Sequence, residues 1–131
     1  MDEIEPTPSS TATFALIHDA TRTRVAAVNL LDNWWAKGVG VLGMSTLRAR
    51  TGVVMPGVAS IHTLFVRFPL DILFLDKSSV LLKVERAVPP WRPLVRCPGA
   101  YYTVELGAGT IDDSGLFEVG SLWSIEPDSG R

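Results

Sequence analysis

The sequence predicts a single, mainly β domain, and three observations carry that prediction. β-branched and apolar residues fall in short runs, of strand rather than helix length. Glycine, proline and Asx residues punctuate the chain between those runs. Finally, 131 residues with 47% hydrophobic and 20% charged side chains suffice for one buried core and match globular usage. The expected organisation is a loose tail over 1–11, one domain over 12–126 and a second loose tail over 127–131.

The tail reading for 1–11 rests on acidic, Pro, Ser and Thr residues that bury too little surface to offset ordering entropy. Ala12 to Ile17 and Arg24 to Leu31 then read as two antiparallel strands around Asp19-Ala20-Thr21-Arg22, a connection of hairpin length. Asp32 to Gly38, including Trp34-Trp35, breaks the pattern. The glycines Gly38, Gly40 and Gly43 match neither the dinucleotide fingerprint nor a phosphate loop, and are read as backbone-geometry residues. A one- or two-turn helix is expected over Met44 to Ala49, followed by a short strand at Val53 to Met55 that Pro56-Gly57 ends.

Pro69 forces a turn after Phe68. Asp71 to Asp76 and Val80 to Val88 flank Lys77-Ser78-Ser79 as a hairpin whose first arm is apolar on both faces, and so buried on both. Pro89-Pro90-Trp91-Arg92-Pro93 is a stiff loop, because its prolines fix φ and lack donors. Tyr101 to Leu106 returns to a strand. A short helix is expected over Thr110 to Ser114, with Thr110 as N-cap, Asp112 and Asp113 in its first turn and Gly115 ending it. Leu122 to Ile125 is the last strand expected.

Charge and composition narrow the function classes. With a net charge of −2 and a pI near 5.6, the chain lacks the basic excess of a general nucleic-acid binder. Arginines gather between Arg86 and Arg96 around Trp91, which suits at most a local anion site. No apolar run approaches the roughly 20 residues of a membrane-spanning helix, and the acidic amino terminus lacks a secretory pattern, so a cytoplasmic location is expected. Cys97 is the one cysteine, which rules out an intrachain disulfide and a multi-cysteine metal site. No cofactor or metal is expected, and the chain is read as a monomer or weak dimer.

An ordered succession of blocks carries a family resemblance. It comprises Ser60-Ile61-His62-Thr63, Arg67-Phe68-Pro69-Leu70-Asp71-Ile72-Leu73-Phe74-Leu75-Asp76, Pro90-Trp91-Arg92, Cys97, Gly99-Ala100, Glu105-Leu106, Ala108-Gly109-Thr110, Gly115-Leu116 and Gly120. From about Gly43 to Ile125 the chain resembles the bacterial and archaeal family known as domain of unknown function 192. The resemblance implies a compact, barrel-like antiparallel or mixed sheet of short strands with one or two short helices, and no established activity. It also implies that export signals vary among relatives. Many relatives place a cysteine just before the Ser-Ile-His block, where this chain has Pro56-Gly57-Val58-Ala59, and an aspartate where it has Ser121. A two-cysteine redox or metal role is therefore not available here.

Several residues are candidates for chemistry. His62 and Asp71, on either side of the Pro69 turn, are placed to form an imidazole–carboxylate dyad for general-base work. The alternative is that His62 satisfies a backbone group while Asp71 accepts from nearby amides. Arg67 offers a bidentate fork for a carboxylate or phosphate, or else pairs with Asp71 or Glu105. Trp91 and Arg92 offer an indole face and a cation, unless Trp91 plugs the end of the fold. Cys97 is a nucleophile only where a base or the field of Arg96 activates it, and otherwise a core residue. His18 is assigned no role.

Two functions follow. The first is a binding module in which Ser60, His62, Thr63, Arg67, Trp91 and Arg92 meet a small anionic or carbohydrate-like ligand or a protein partner. The alternative is a small hydrolase using His62 and Asp71 with Cys97 or a water. A third reading gives the patterned residues a purely structural role.

Overall fold

A computed structural model of the chain describes residues 13–33 and 40–128. The expected tail at 1–11, Trp34-Trp35 and Gly38 lie outside the described residues. Among the described residues nine strands follow in order: β1 (Thr13–His18), β2 (Thr23–Leu30), β3 (Thr51–Pro56), β4 (Ser60–Ile61), β5 (Leu70–Leu75), β6 (Leu81–Val88), β7 (Val95–Arg96), β8 (Tyr102–Gly107) and β9 (Trp123–Pro127). Seven form one mixed sheet in the order β6-β5-β8-β3-β2-β1-β9, and β4 pairs with β7 as a separate ribbon.

The predicted hairpins form where local chemistry favours them. β1 and β2 pair antiparallel from Thr13↔Asn29 to His18↔Thr23. β5 and β6 are joined by a turn in which Asp76 Oδ1 accepts from Ser78 N at 2.9 Å and Val80 N at 3.0 Å. β2 and β3 are parallel, Ala27↔Thr51 through Leu30↔Val54, so the chain must cross over between them through segment 31–50.

Side-chain alternation divides the interior into two cores, one on each face of the sheet. Leu16, Val28, Val54, Leu73, Leu75, Val104, Leu106 and Trp123 fill the first. Val53, Met55, Leu70, Ile72 and Phe74 face the other way, where Leu31, Val41, Val66, Val95 and Cys97 cover them. Every residue of β5 is consequently buried, as the apolar run Ile72 to Leu75 predicts, and Asp71 is buried with them.

The barrel expectation needs correction. The outer strands β6 and β9 approach at one end through the Val80↔Leu122 bridge, with Leu81 N donating to Ser121 O and Trp123 N to Ser79 O, both at 2.9 Å. Closure needs a continuous ladder, yet none follows that bridge. Farther along β6, Lys83 Nζ donates to Arg96 O at 3.0 Å, on the ribbon side. The sheet stays open.

Neither expected helix forms, and no helix occurs among the described residues. Over Met44 to Ala49, a tight turn in which Gly43 N and Met44 N share Val41 O precedes an irregular stretch, and Ala49 bridges Gly107 in parallel. At Thr110 the hydroxyl donates to Gly107 O and accepts from Arg50 N, both at 2.6 Å, so it ties two loops together instead of capping a helix. Asp112 Oδ1 accepts from Ser114 N at 3.0 Å, a local turn that competes with the helical pattern.

The last strand runs further than expected. Pro127 pairs with Phe14, Asp128 N donates to Thr13 O at 3.0 Å, and Arg24 holds the Asp128 carboxylate at 2.6 Å. No helix long and apolar enough to cross a membrane is present among the described residues.

Candidate functional site

Thr63 is the starting point, because it is completely buried and uses both sides of its hydroxyl. Its Oγ1 donates to Pro89 O at 2.7 Å and accepts from Arg92 N at 2.8 Å. Its backbone N–H donates to Arg92 O at 2.8 Å, while its carbonyl accepts from Trp91 N at 2.7 Å and Val66 N at 3.2 Å. Four of these five hydrogen bonds clamp the loop after β4 to the proline-stiffened loop after β6, and the fifth, from Val66 N, closes a turn within the first loop.

The clamp imposes an unusual conformation on two bulky residues. Phe65 has φ +67° and Trp91 has φ +69°, both in the left-handed region that side chains rarely adopt. Each such residue costs on the order of 1–3 kcal/mol, held only because the surroundings over-determine it. Neither ring repays that cost by burial, since Phe65 is 66% and Trp91 59% exposed. The two rings meet edge to face with centroids 4.7 Å apart. Phe65, Val66, Arg67, Pro90 and Trp91 line one open depression. Arg67 is exposed, and its guanidinium has no hydrogen-bond or ion-pair partner among the described residues.

The other sequence candidates fall elsewhere. His62 is exposed, and its Nδ1 accepts from Leu64 N at 3.1 Å, a contact within its own turn. Asp71 is buried, with Oδ1 accepting from Ala87 N at 2.7 Å and Oδ2 from Gly109 N at 3.1 Å and Ile111 N at 2.8 Å. The expected His62–Asp71 dyad does not form, because strand alternation turns Asp71 toward the Ala87 amide of the neighbouring β6 and the Gly109 and Ile111 amides of the loop after β8. Arg67 pairs with neither Asp71 nor Glu105, both of which are buried while Arg67 is exposed.

Cys97 is buried in the second core, its thiol reaching only its neighbour's carbonyl, Pro98 O, at 3.8 Å. Its thiol makes no hydrogen bond to a base or a cation among the described residues. Thr63, expected to touch a ligand, is completely buried with its hydroxyl proton already donated to Pro89 O, and acts as the clamp. Ser60 is exposed on β4, opposite Arg96. Arg92 is half-buried and joins through its backbone alone, while Trp91 is exposed and plugs nothing. Of the proposed ligand set, therefore, Arg67 and Trp91 share one depression, and Phe65, which the sequence reading missed, completes it. No group of three or more His, Cys, Asp or Glu side chains stands ready to hold a metal among the described residues.

Comparison with known proteins places this geometry in a family. A stretch of 54 residues, 41% of this chain and 34% of the other protein, is 43% identical to a UPF0127 protein of Thermococcus sibiricus. The chain thus spans about a third of that relative's length. Among solved structures, a Sinorhizobium meliloti protein provisionally described as a transcription regulator superposes with a TM-score of 0.74 at 19% identity, over 87% of this chain and 92% of that one. A protein of unknown function from Novosphingobium aromaticivorans gives 0.72 at 14% identity, over 93% and 91%. At those identities the likeness shows a shared fold. The family model for DUF192, described as Uncharacterized ACR, matches residues 16–122, and the chain belongs to that family.

Proposed function

We propose that this protein is a binding module whose Phe65–Trp91 pair receives the flat or apolar face of a small anionic or carbohydrate-like ligand, with Arg67 gripping its charge. One observation carries the reading: two large aromatic side chains are exposed together in strained backbone conformations that a buried clamp enforces. Strain retained without a gain in packing marks positions held for recognition. A planar guanidinium beside exposed rings supplies the complementary charge. We prefer this reading to a hydrolase because His62, Asp71 and Cys97 each bond to different backbone groups instead of to one another. Net charge −2 argues against nucleic acid as the ligand. A lone, buried Cys97 suits the reducing cytoplasm.

The test is a thermal-shift and titration screen with phosphorylated sugars, nucleoside monophosphates and aromatic carboxylates. A ligand that raises the melting temperature should lose about tenfold or more of its affinity on Trp91→Ala or Arg67→Ala, with the unliganded melting temperature nearly unchanged. Phe65→Gly should go further, weakening binding while raising stability by up to about 1 kcal/mol, because glycine adopts the left-handed conformation freely. Binding unaffected by all three substitutions would place the ligand elsewhere.

A further inference from the structure

We infer that Glu105 is a proton-operated latch for the segment Gly40–Met44, closed when its carboxyl is neutral and released when it ionises. Glu105 is 4% exposed in the middle of β8, where Val53 on β3 and Ile72 on β5 are its cross-strand neighbours in the second core. Its Oε1 is buried with no hydrogen-bond partner. The backbone N–H of Val41 donates to the carboxyl, the described contact that ties the segment to the sheet here. Gly40 lies directly over the same group, at φ +53°, and a Cβ added there would stand 3.2 Å from Oε1. A side chain at position 40 would therefore press on the carboxyl, so glycine lets the segment close.

Charge decides the state of this arrangement. A neutral carboxyl with one idle oxygen is tolerable in an apolar layer, whereas a carboxylate with one unpartnered oxygen is not. Burial pushes Glu105 up to about 7, against a smaller opposing effect of the Val41 amide. The nearest charge along that face of the sheet is Glu85, beyond Ile72, and it is already ion-paired with Lys83 at 3.0 Å. β3 presents Thr51, Val53 and Met55 on this face, and the segment presents Gly40 and Val41, none of them charged. With no cation among these described groups to hold the anion, water must reach it, and lifting the segment is the shortest route. Met44, Leu47 and Arg48 farther along wall a cavity of about 180 Å³ against β2 and β3, so release would loosen that cavity too.

The sign for stability follows from the raised value. Glu105 binds its proton more tightly in the folded chain than in the unfolded one, so its stabilisation is complete below about 4.5 and is lost as pH rises to about 7. The experiment is an NMR titration of the full chain from pH 5 to 8.5, following the Glu105 side-chain carbonyl carbon. Amide-exchange protection of Val41 and Met44, corrected for intrinsic exchange, is measured in parallel. The expected result is a carbonyl midpoint near 7, with protection at Val41 falling at least tenfold through the same midpoint while β5 amides stay protected. Glu105→Gln should abolish the pH dependence of Val41 protection. The wild-type titration stands alone if that variant fails to fold. A midpoint in the ordinary carboxylate range, or Val41 protection indifferent to Glu105 ionisation, would overturn the latch.

Discussion

Asp71→Ala is expected to lower stability by about 4 kcal/mol, which for a chain of this length is a fall of about 15 °C in melting temperature. The substitution removes the acceptor of three backbone amides, those of Ala87, Gly109 and Ile111, at 2.7, 3.1 and 2.8 Å. Each amide left unpaired in the interior costs roughly 1–3 kcal/mol, and water admitted to the site recovers part of that. Ala87, at φ +50°, sits where the β5–β6 register slips between Leu70↔Val88 and Ile72↔Glu85, so one carboxylate fixes that bulge and the turn after β8 together. Asp71→Asn keeps one acceptor oxygen but aims an amide donor at a backbone donor, and should cost about half as much. Calorimetry of both variants gives the answer. A melting temperature within a few degrees of wild type for the alanine variant would remove Asp71 from the framework and reopen its reading as a catalytic carboxylate.

Gly52→Ala is the second large effect, and it comes from backbone contact instead of hydrogen bonding. A Cβ at position 52 would collide with the carbonyl oxygen of Glu105 and stand 2.9 Å from both the Glu105 carbonyl carbon and Leu106 Cα. Those atoms belong to β8, paired with β3 at Gly52↔Leu106, and a backbone in the middle of a sheet has no rotamer with which to withdraw. The variant is expected to lose at least about 4 kcal/mol, or to accumulate as insoluble protein. Gly43→Ala provides the contrast, since no atom lies within 4 Å of a Cβ there and no left-handed φ is involved. It should be neutral, or stabilising by up to about 1 kcal/mol. Equal stability of Gly52→Ala and Gly43→Ala, measured by urea denaturation, would show that the β3–β8 approach is looser than described.

The β5–β6 hairpin was legible in the sequence because everything that makes it is local: the apolar run Ile72 to Leu75, a turn built on Asp76, and an apolar, β-rich return strand. Trp91 and Arg67 were legible as candidates by residue type alone. Phe65 was not, because its exposure depends on Thr63 joining a loop 29 positions away, through the bond from Arg92 N. The His62–Asp71 pairing failed for a related reason. Closeness along the chain across the Pro69 turn suggested a meeting, but one step of strand alternation put Asp71 on the first-core face, with partners 16, 38 and 40 positions distant. The two short helices failed because glycine and Asx chemistry favours local turns, while Gly107 on β8 bridges Ala49 and the Asp71 carboxylate on β5 takes the Ile111 amide.

Residue order alone established the approximate places of the seven strands of the main sheet, that β5 is buried on both faces, and which family the chain resembles, since all of these depend on neighbours a few positions apart. Sheet order, the open edge between β6 and β9, the exposure of Phe65 and Trp91 and the unpartnered oxygen of Glu105 emerged only once the chain was assembled. The reason is that burial and hydrogen-bond satisfaction belong to pairs of segments far apart in the chain. A side chain's type says what it is able to bind, and only the packed neighbours decide whether anything is left for it to bind.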